Sequence, residues 1–173
     1  RSRMAGRVSA AMREVLGQAT GLLQFGCLLH CFHEHILDVT ICIGPSMIPT
    51  FNLEGDVVLV EFWTTRRQKL VNGDVVVAKS PTNPKQTVCK RICGMPGEIV
   101  RVAPQHPFQS ARNFLVPDGH VWLQGDNLPN STDSRHYGPV PLALIRGKVF
   151  YKIWPLGEAG VVESKLMNQE LKD

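Results

Sequence analysis

The chain has 173 residues, a formal net charge of +4 and a hydrophobic content of 43%. This length and composition favour one globular domain with an appendage and argue against wholesale disorder. Only 7% of the residues are aromatic, and no run of Lys or Arg exceeds two. The chain therefore lacks the basic, base-stacking surface of a nucleic-acid-binding protein, and no nucleic acid is expected as a partner.

The five cysteines follow neither a zinc nor a disulfide pattern. Their number is odd, and no Cys-x-x-Cys occurs. On one strand, Cys89 and Cys93 would lie about 13 Å apart, which is too far for a disulfide. The segment HCFHEH, residues 30–35, also departs from the His-Glu-x-x-His metal motif. We therefore expect free thiols, no metal and no cofactor.

Residues 1–43 are predicted to form a basic segment followed by a membrane-associated helix. Residues 1–20 hold four arginines and one glutamate, which is typical of a mitochondrial targeting segment or of the basic flank of a membrane anchor. Because the sequence begins with Arg1, Met4 is a candidate for the natural start. In residues 21–43, apolar residues recur at three- and four-residue steps, which indicates a helix with one apolar face.

Residues 21–43 are long enough for one membrane span, but they contain charged and polar residues. Glu34, Asp38 and three histidines are costly in a lipid core. A weak span and a helix that lies in the interface against a partner are therefore both open. In either case the helix is a weak membrane anchor, and membrane lipid is an expected partner.

From residue 44 onward, short β-branched runs separated by proline and glycine predict a mainly β domain over residues 44–155. GDVVLVEF (55–62) and GDVVVAKS (73–80) are near-copies in which a Gly-Asp turn leads into a strand. Such patterns are typical of a coiled sheet or barrel. The polar residues 156–173 are predicted to form a frayed helix or tail. Further strands are predicted at 87–94, 98–103, 120–125 and 148–154.

Ser46 lies between two prolines in the segment ICIGPSMIPTF, residues 41–51. Each proline fixes its own φ and restricts the residue before it. A hydroxyl on such a stiff turn loses little entropy when it attacks a substrate. Ser46 is therefore a candidate nucleophile, with a purely structural Ser-Pro turn as the alternative.

Lys90 is a candidate base in the predicted strand TVCKRICG. Because side chains alternate, Lys90 shares one face with Val88 and Ile92. Burial between aliphatic neighbours lowers the pKa of a lysine, and a sufficiently lowered pKa lets its amine act as a base near neutral pH. Arg91 cannot take this role because it stays protonated. The alternative is a lysine that extends to solvent beside a surface arginine.

The loop GDNLPNSTDSRHYGP, residues 125–139, is dense in polar side chains. Asp133 and Arg135 are predicted to pair and to pin the loop. The Ser131 hydroxyl is a candidate for orienting a neutral lysine. Taken alone, the segment also fits an ordinary polar loop.

Four of these segments resemble, in order, the sequence boxes of the type I signal peptidases. They cover most of residues 44–140. The resemblance implies a membrane-anchored serine endopeptidase with a β-rich, signal-peptidase-like fold, which removes signal sequences after small residues. The four segments are GPSMIPT, GDVVVAK, KRICGMPGE and GDNLPNSTDSRHYG.

The resemblance implies a role for each candidate residue. Ser46 corresponds to the nucleophile and Lys90 to the general base of a Ser/Lys dyad. Ser131 corresponds to the hydroxyl that orients the lysine. Asp133 and Arg135 correspond to the ion pair that supports the loop.

The oxyanion hole is only partly accounted for. The resemblance implies that the backbone N–H of Ser46 is one donor and that Met47 contacts substrate. Some bacterial members place a serine two positions before the nucleophile as the second donor, but this chain has Gly44 there. The second donor is therefore open, and the loss of one such donor costs about 10²–10³ in rate.

Within the family, the sequence resembles the mitochondrial inner membrane proteases. Its lysine separates it from the endoplasmic reticulum signal peptidase subunits, which use histidine there. The segment DSRHYGPVP resembles one catalytic subunit of the mitochondrial protease more than its sister, subunit 2, which tends to lack the arginine.

This resemblance implies a heterodimer with subunit 2 in the mitochondrial inner membrane. The catalytic domain is expected to face the intermembrane space and to remove sorting peptides from precursor polypeptides. One alternative is a bacterial-type or plastid signal peptidase. Another is a catalytically silent scaffold subunit of a membrane protease complex.

Overall fold

The computed structural model of the chain describes residues 2–104 and 110–166, with side chains from residue 12 onward. Contacts divide the chain into two compact units, Arg1–Leu37 and Asp38–Asp173. The first unit is helical, and the second is built mainly from β-strands. The predicted combination of one N-terminal helix with a mainly β domain is therefore confirmed.

The helix of the first unit, α1, runs from Ser2 to His35 and includes residues 2–20 of the basic segment. Its portion Met12–His35, 24 residues, is long and apolar enough to cross a membrane. At 1.5 Å per residue this portion measures about 36 Å, against about 30 Å for the hydrocarbon core of a bilayer. Apolar side chains such as Leu22 and Phe25 are exposed along it, as an anchor in lipid requires.

The helix expected within residues 21–43 ends at His35, and the residues Leu37–Cys42 form the first strand, β1. The β-branched residues Val39, Thr40 and Ile41 favour extended backbone. Apolar residues recur in both elements, so hydrophobicity alone gave no sign of the change. Residues 37–42 thus belong to the sheet and not to the anchor.

Within its described residues, the second unit contains nine further strands and two four-residue helices, α2 and α3. The predicted strands are all observed. Their bounds, together with those of the short strands and helices that the sequence did not predict, are β2 Asp56–Glu61, α2 Trp63–Arg66, β3 Val75–Lys79, β4 Thr87–Gly94, β5 Ile99–Val102, β6 Arg112–Leu115, β7 His120–Gln124, α3 Ser134–Tyr137, β8 Val140–Pro141, β9 Ile145–Trp154 and β10 Gly160–Val161.

These strands form an eight-stranded sheet in the order β1–β2–β9–β3–β4–β7–β8, with β10 beside β9, and a separate two-stranded sheet of β5 and β6. The pairs β2–β9, β9–β3, β3–β4, β4–β7 and β7–β8 are all antiparallel. The strands β3 and β4 therefore lie in the interior of the sheet.

The strand β3 is buried on both faces, which explains its continuous valine run. Val75 and Val77 belong to one hydrophobic core, whereas Val76 and Ala78 belong to a second. A strand that is covered on both faces needs apolar side chains at successive positions. Lys90 of β4 pairs directly with Val76, so the fold places this lysine inside the domain.

The aspartates of the two Gly-Asp segments make the same kinds of contact at the start of β2 and β3. Asp56 and Asp74 are fully buried, and each accepts a hydrogen bond from a backbone N–H in the turn before it. Each also pairs with a lysine of β9, Asp56 with Lys152 at 3.3 Å and Asp74 with Lys148 at 2.6 Å. The copies therefore fasten β2 and β3 to their common neighbour.

Residues 156–166 are folded onto the sheet and do not form the predicted frayed helix or tail. The strand β10 pairs with β9, and Val162 packs against the first core. Ser164 Oγ donates a hydrogen bond to Asp74 Oδ1 at 2.5 Å. The rest of the predicted tail, residues 167–173, lies outside the described residues.

Candidate active site

Ser46 lies in a tight 3₁₀ turn, Pro45–Met47, that is anchored in the core. The chain enters this turn through Gly44 with φ 118°, a conformation that favours glycine. Beyond the serine, the side chains of Met47 and Phe51 are buried, and the Phe51 N–H donates to the Met47 carbonyl at 2.9 Å. The stiff turn predicted from the sequence is thus present.

Lys90 lies in the middle of β4, and its amine reaches Ser46. Its exposed fraction is 4%, and its Nζ lies 2.7 Å from Ser46 Oγ. Burial lowers the pKa of Lys90 below its ordinary value, against the smaller opposing effects of Cys89 and Asp133. The structure therefore brings the two predicted catalytic side chains into contact and favours the neutral amine.

An open cleft of about 300 Å³ lies beside this pair. Residues 40–44, at the end of β1, and residues 87–90 of β4 line this cleft. Met47 also lines the cleft, as its expected contact with substrate requires, and that contact stays a prediction. A cleft between two strands fits an extended polypeptide.

The Gly125–Asn127 segment holds the turn of the nucleophile from outside. The Asn127 N–H donates to the Ser46 carbonyl, and Asn127 Nδ2 donates to the Pro45 carbonyl, both at 3.0 Å. A Cβ at Gly125 would lie only 2.4 Å from the Ser46 carbonyl oxygen. These contacts of Asn127 were not predicted, and its place in the polar loop, two residues after Gly125, was the one available signal.

The ion pair between Asp133 and Arg135 is present. Arg135 Nε and Nη2 donate to the two carboxylate oxygens at 2.8 and 3.0 Å, and Nη2 also donates to the carbonyls of Leu128 and Ser131. Burial alone would raise the pKa of Asp133, but hydrogen bonds from Arg135 and from the Gly125 N–H hold this pKa below its ordinary value. The pair thereby ties the two ends of the loop together.

Ser131 is buried, with an exposed fraction of 5%. Its hydroxyl lies close enough to Asp133 to help lower the pKa of that carboxyl. However, Ser131 Oγ has no hydrogen-bond partner within the described part of the chain. A buried hydroxyl without a partner costs free energy. Because it has no partner, the Ser131 hydroxyl is available to bond a group of the site. Its orientation of Lys90 stays a prediction.

Arg91 is not the surface residue of the alternative interpretation. Its exposed fraction is 2%, and Nε and Nη2 donate to the two carboxylate oxygens of Asp126 at 2.7 Å each. Nη1 donates to the carbonyls of Gly73 and Glu163 at 2.7 and 3.0 Å. The pair of Arg91 and Asp126 was not predicted from the sequence. Its signal was a third Gly-Asp dipeptide, at residues 125–126.

The chain matches a known protein family over most of its length. The model of the family described as "Signal peptidase, peptidase S26" matches residues 22–107 and 102–154. Mitochondrial inner membrane protease subunit 1 of Mus musculus is 45% identical over 167 residues, which cover 94% of this chain and 99% of that protein. The chain belongs to the signal peptidase family S26.

Two further proteins are similar to this signal peptidase. Mitochondrial inner membrane protease subunit 2 of Danio rerio is 39% identical over 116 residues, 65% of this chain and 61% of that protein. A solved signal peptidase I from Enterococcus faecalis V583 is 26% identical, with a TM-score of 0.39, over 46% of this chain and 95% of that one.

Membership in this family confirms the predicted enzyme class, a signal peptidase-type serine peptidase. The location of the relatives and the apolar helix α1 assign the protein to the mitochondrial inner membrane, as predicted.

Proposed function

We propose that this signal peptidase cuts precursor polypeptides with Ser46 as the nucleophile and Lys90 as the general base. The observation that carries the proposal is the 2.7 Å separation between Lys90 Nζ and Ser46 Oγ. The lysine is buried and its pKa is lowered, so its lone pair is available at a lower pH than in a free lysine. The base and the nucleophile are in hydrogen-bond reach, as proton transfer requires.

In the first half of the reaction, neutral Lys90 accepts the proton of the Ser46 hydroxyl while Oγ attacks the scissile carbonyl. The Ser46 N–H donates to the developing oxyanion. The Lys90 ammonium then gives its proton to the leaving amine, and an acyl-enzyme ester on Ser46 remains. In the second half, Lys90 takes a proton from water, the hydroxide attacks the ester, and Ser46 recovers its proton.

The supporting residues keep this pair in place. Ser131 orients the Lys90 amine with its otherwise unpartnered hydroxyl. Asp133 and Arg135 hold the loop that carries Ser131, since Arg135 also bonds the Ser131 carbonyl. Met47 contacts the substrate from the floor of the cleft.

The substrates are precursors delivered to the intermembrane space, whose sorting peptides lie extended in the cleft. The catalytic unit faces that space, and the basic residues 1–20 lie on the matrix side, in accord with the charge bias of membrane anchors. The partner is a sister catalytic subunit of the subunit 2 type, in a heterodimer. Support comes from the names of the relatives, which include a subunit 1 and a subunit 2.

The proposal is tested by precursor cleavage with the full chain and its partner, in which the partner's own nucleophilic serine has been replaced. Ser46→Ala and Lys90→Arg should each lower the rate by about 10⁴-fold or more, since members of a catalytic unit are individually indispensable. Arginine keeps the charge of lysine but cannot accept a proton. Lys79→Arg, at an exposed lysine that ends β3, is the matched control and should leave the rate unchanged.

Two outcomes would contradict the proposal in different ways. An active Lys90→Arg protein would mean that Lys90 acts only as a charge. Undiminished cleavage by Ser46→Ala with the intact partner, but none by the parent chain with the inactivated partner, would identify the chain as a silent scaffold subunit.

A further inference from the structure

Two thiols from different strands lie in one hydrophobic cluster beside the cleft, and the proposed reaction uses neither. Cys42 ends β1, and Cys89 lies in β4 directly before Lys90. Both residues line the cleft beside Ser46, and Cys89 packs against the hydrophobic core that contains the buried Cys42. Both are free thiols. The fold thus creates a thiol pair from two strands that are distant in the sequence.

The two thiols also interact electrostatically. A hydrogen bond from the Cys89 thiol lowers the pKa of Cys42, whereas the same bond and burial raise the pKa of Cys89. Cys42 therefore ionises first, with a protonated thiol beside it, which is the arrangement of an attacking and a resolving cysteine. The remaining cysteines differ, since burial raises the pKa of Cys93 to about 12 and Cys27 and Cys31 are exposed on α1.

We propose that Cys42 and Cys89 form a modification site for low-molecular-weight disulfides such as glutathione disulfide. Oxidation converts the pair to an intramolecular disulfide and thereby switches off the peptidase. The thiol chemistry follows from the pair itself, whereas the loss of activity rests on the proposed Ser46–Lys90 function.

The exchange is balanced in two steps. The Cys42 thiolate attacks one sulfur of glutathione disulfide, which forms a mixed disulfide and releases one glutathione thiolate. Cys89 then loses its proton and attacks the Cys42 sulfur, which forms the Cys42–Cys89 bond and releases the second glutathione. The two protein thiols are oxidised, the glutathione disulfide is reduced to two glutathione molecules, and the released thiolates take up the protons.

The disulfide should disable the site because it constrains two of the strands that line the cleft, β1 and β4. The two sulfur atoms must approach to about 2.05 Å, which draws the end of β1 toward β4. Lys90 follows Cys89 in β4, and the turn with Ser46 follows Cys42. A displacement of reacting groups by about 1 Å costs about 10²-fold in rate, and a covalent bond between two lining residues also narrows the path of the substrate.

The test incubates the full chain, in detergent and with its partner, with glutathione disulfide and follows two readouts. Mass spectrometry of non-reduced peptides should find Cys42 linked to Cys89 with the loss of two hydrogen atoms, in the parent and in Ser46→Ala alike. Cleavage by the parent should fall about 10²-fold and return with dithiothreitol. The double variant Cys42→Ala/Cys89→Ala should show the same rate before and after oxidation, each variant being compared with itself.

Cys93→Ser is the matched control, because Cys93 lies in the same strand outside the pair, and it should lose activity on oxidation as the parent does. The absence of the Cys42–Cys89 linkage in Ser46→Ala at full oxidation would overturn the modification site, whatever the peptidase does. Linkage without loss of cleavage would overturn the switch. Failure of the parent to cleave before oxidation would instead count against the proposed function, because the linkage is measured independently.

Discussion

The two faces of β4 hold neighbouring cations in opposite settings. Lys90 and Arg91 have exposed fractions of 4% and 2%, and their side chains point to opposite faces because they are adjacent in a strand. Arg91 donates to both oxygens of Asp126, whereas the Lys90 amine contacts the neutral hydroxyl of Ser46.

The difference shows that a buried basic side chain can either keep its charge or lose its proton. A guanidinium paired with a carboxylate in bidentate geometry keeps its charge and stabilises its surroundings. An amine beside a hydroxyl and among aliphatic side chains has less to compensate for lost hydration, so its pKa falls and it becomes a base. The first arrangement serves the fold, and the second serves the proposed reaction.

The largest expected difference between Arg91 and Lys90 is in the stability that is lost when each is replaced. Arg91→Met leaves the Asp126 carboxylate buried without its partner, which should lower the free energy of unfolding by about 3–5 kcal/mol. Lys90→Met removes a buried amine and leaves no charge behind, so it should leave this free energy unchanged or raise it. Urea unfolding of the full chain in detergent, followed by tryptophan fluorescence, measures both.

The control for this prediction is the double variant Arg91→Met/Asp126→Asn. It removes the orphaned charge but keeps a side chain that bonds Thr50 Oγ1, which now donates to Asp126, so much of the lost stability should return. If Lys90→Met lost as much stability as Arg91→Met, both cations would be structural, and the assignment of Lys90 as a base would weaken.

The next effect is on the pH dependence of cleavage. Because burial lowers the pKa of Lys90 from 10.5, kcat/KM should rise about tenfold per pH unit up to this lowered pKa and then level off. Folding stability should increase with pH between the pKa values of Lys90 in the folded and unfolded chain, because in this range the unfolded chain binds the Lys90 proton more tightly. A pH profile of peptide cleavage checks the first statement, and unfolding at several pH values checks the second.

A substitution that admits water to the Lys90 face sharpens this test. Val88 shares that face and is partly buried. Val88→Ser should reduce the desolvation of Lys90 and move the rising limb of the profile to higher pH. A limb that stays in place, or one that levels off only near pH 10.5 in the parent, would mean that burial does not set the pKa of the base.

The fold was predictable where local signals were strong. The Gly-Asp turns and valine runs indicated β2 and β3, because a turn dipeptide before a β-branched run has few other structures available. The strand β1 was missed because apolar residues recur in Leu37–Cys42 as they do in the helix. The docked segment 156–166 was missed because contacts such as that of Ser164 with Asp74 join residues far apart in the chain.

The site shows the same limit. Ser46 and Lys90 stand out in the sequence because two prolines and strand alternation restrict them locally. The partner of Arg91 lies 35 residues away, and the thiol pair of Cys42 and Cys89 exists only once β1 and β4 face one cleft. Strand alternation places a residue on a face, but only the tertiary fold decides what covers that face.

The smallest effect concerns Asn127, which bonds the turn that carries the nucleophile Ser46. Asn127→Asp keeps the shape and the backbone bond to the Ser46 carbonyl but removes the Nδ2 donor to Pro45. The lost bond is worth about 0.5–1.5 kcal/mol, so kcat should fall about 2- to 12-fold with little change in KM. Thr132→Ala, at an exposed residue of the same loop, is the control and should change neither. A rise in KM without a fall in kcat would mean that Asn127 contacts substrate, whereas a fall in kcat alone fits a residue that keeps the Ser46 hydroxyl in reach of the uncharged Lys90.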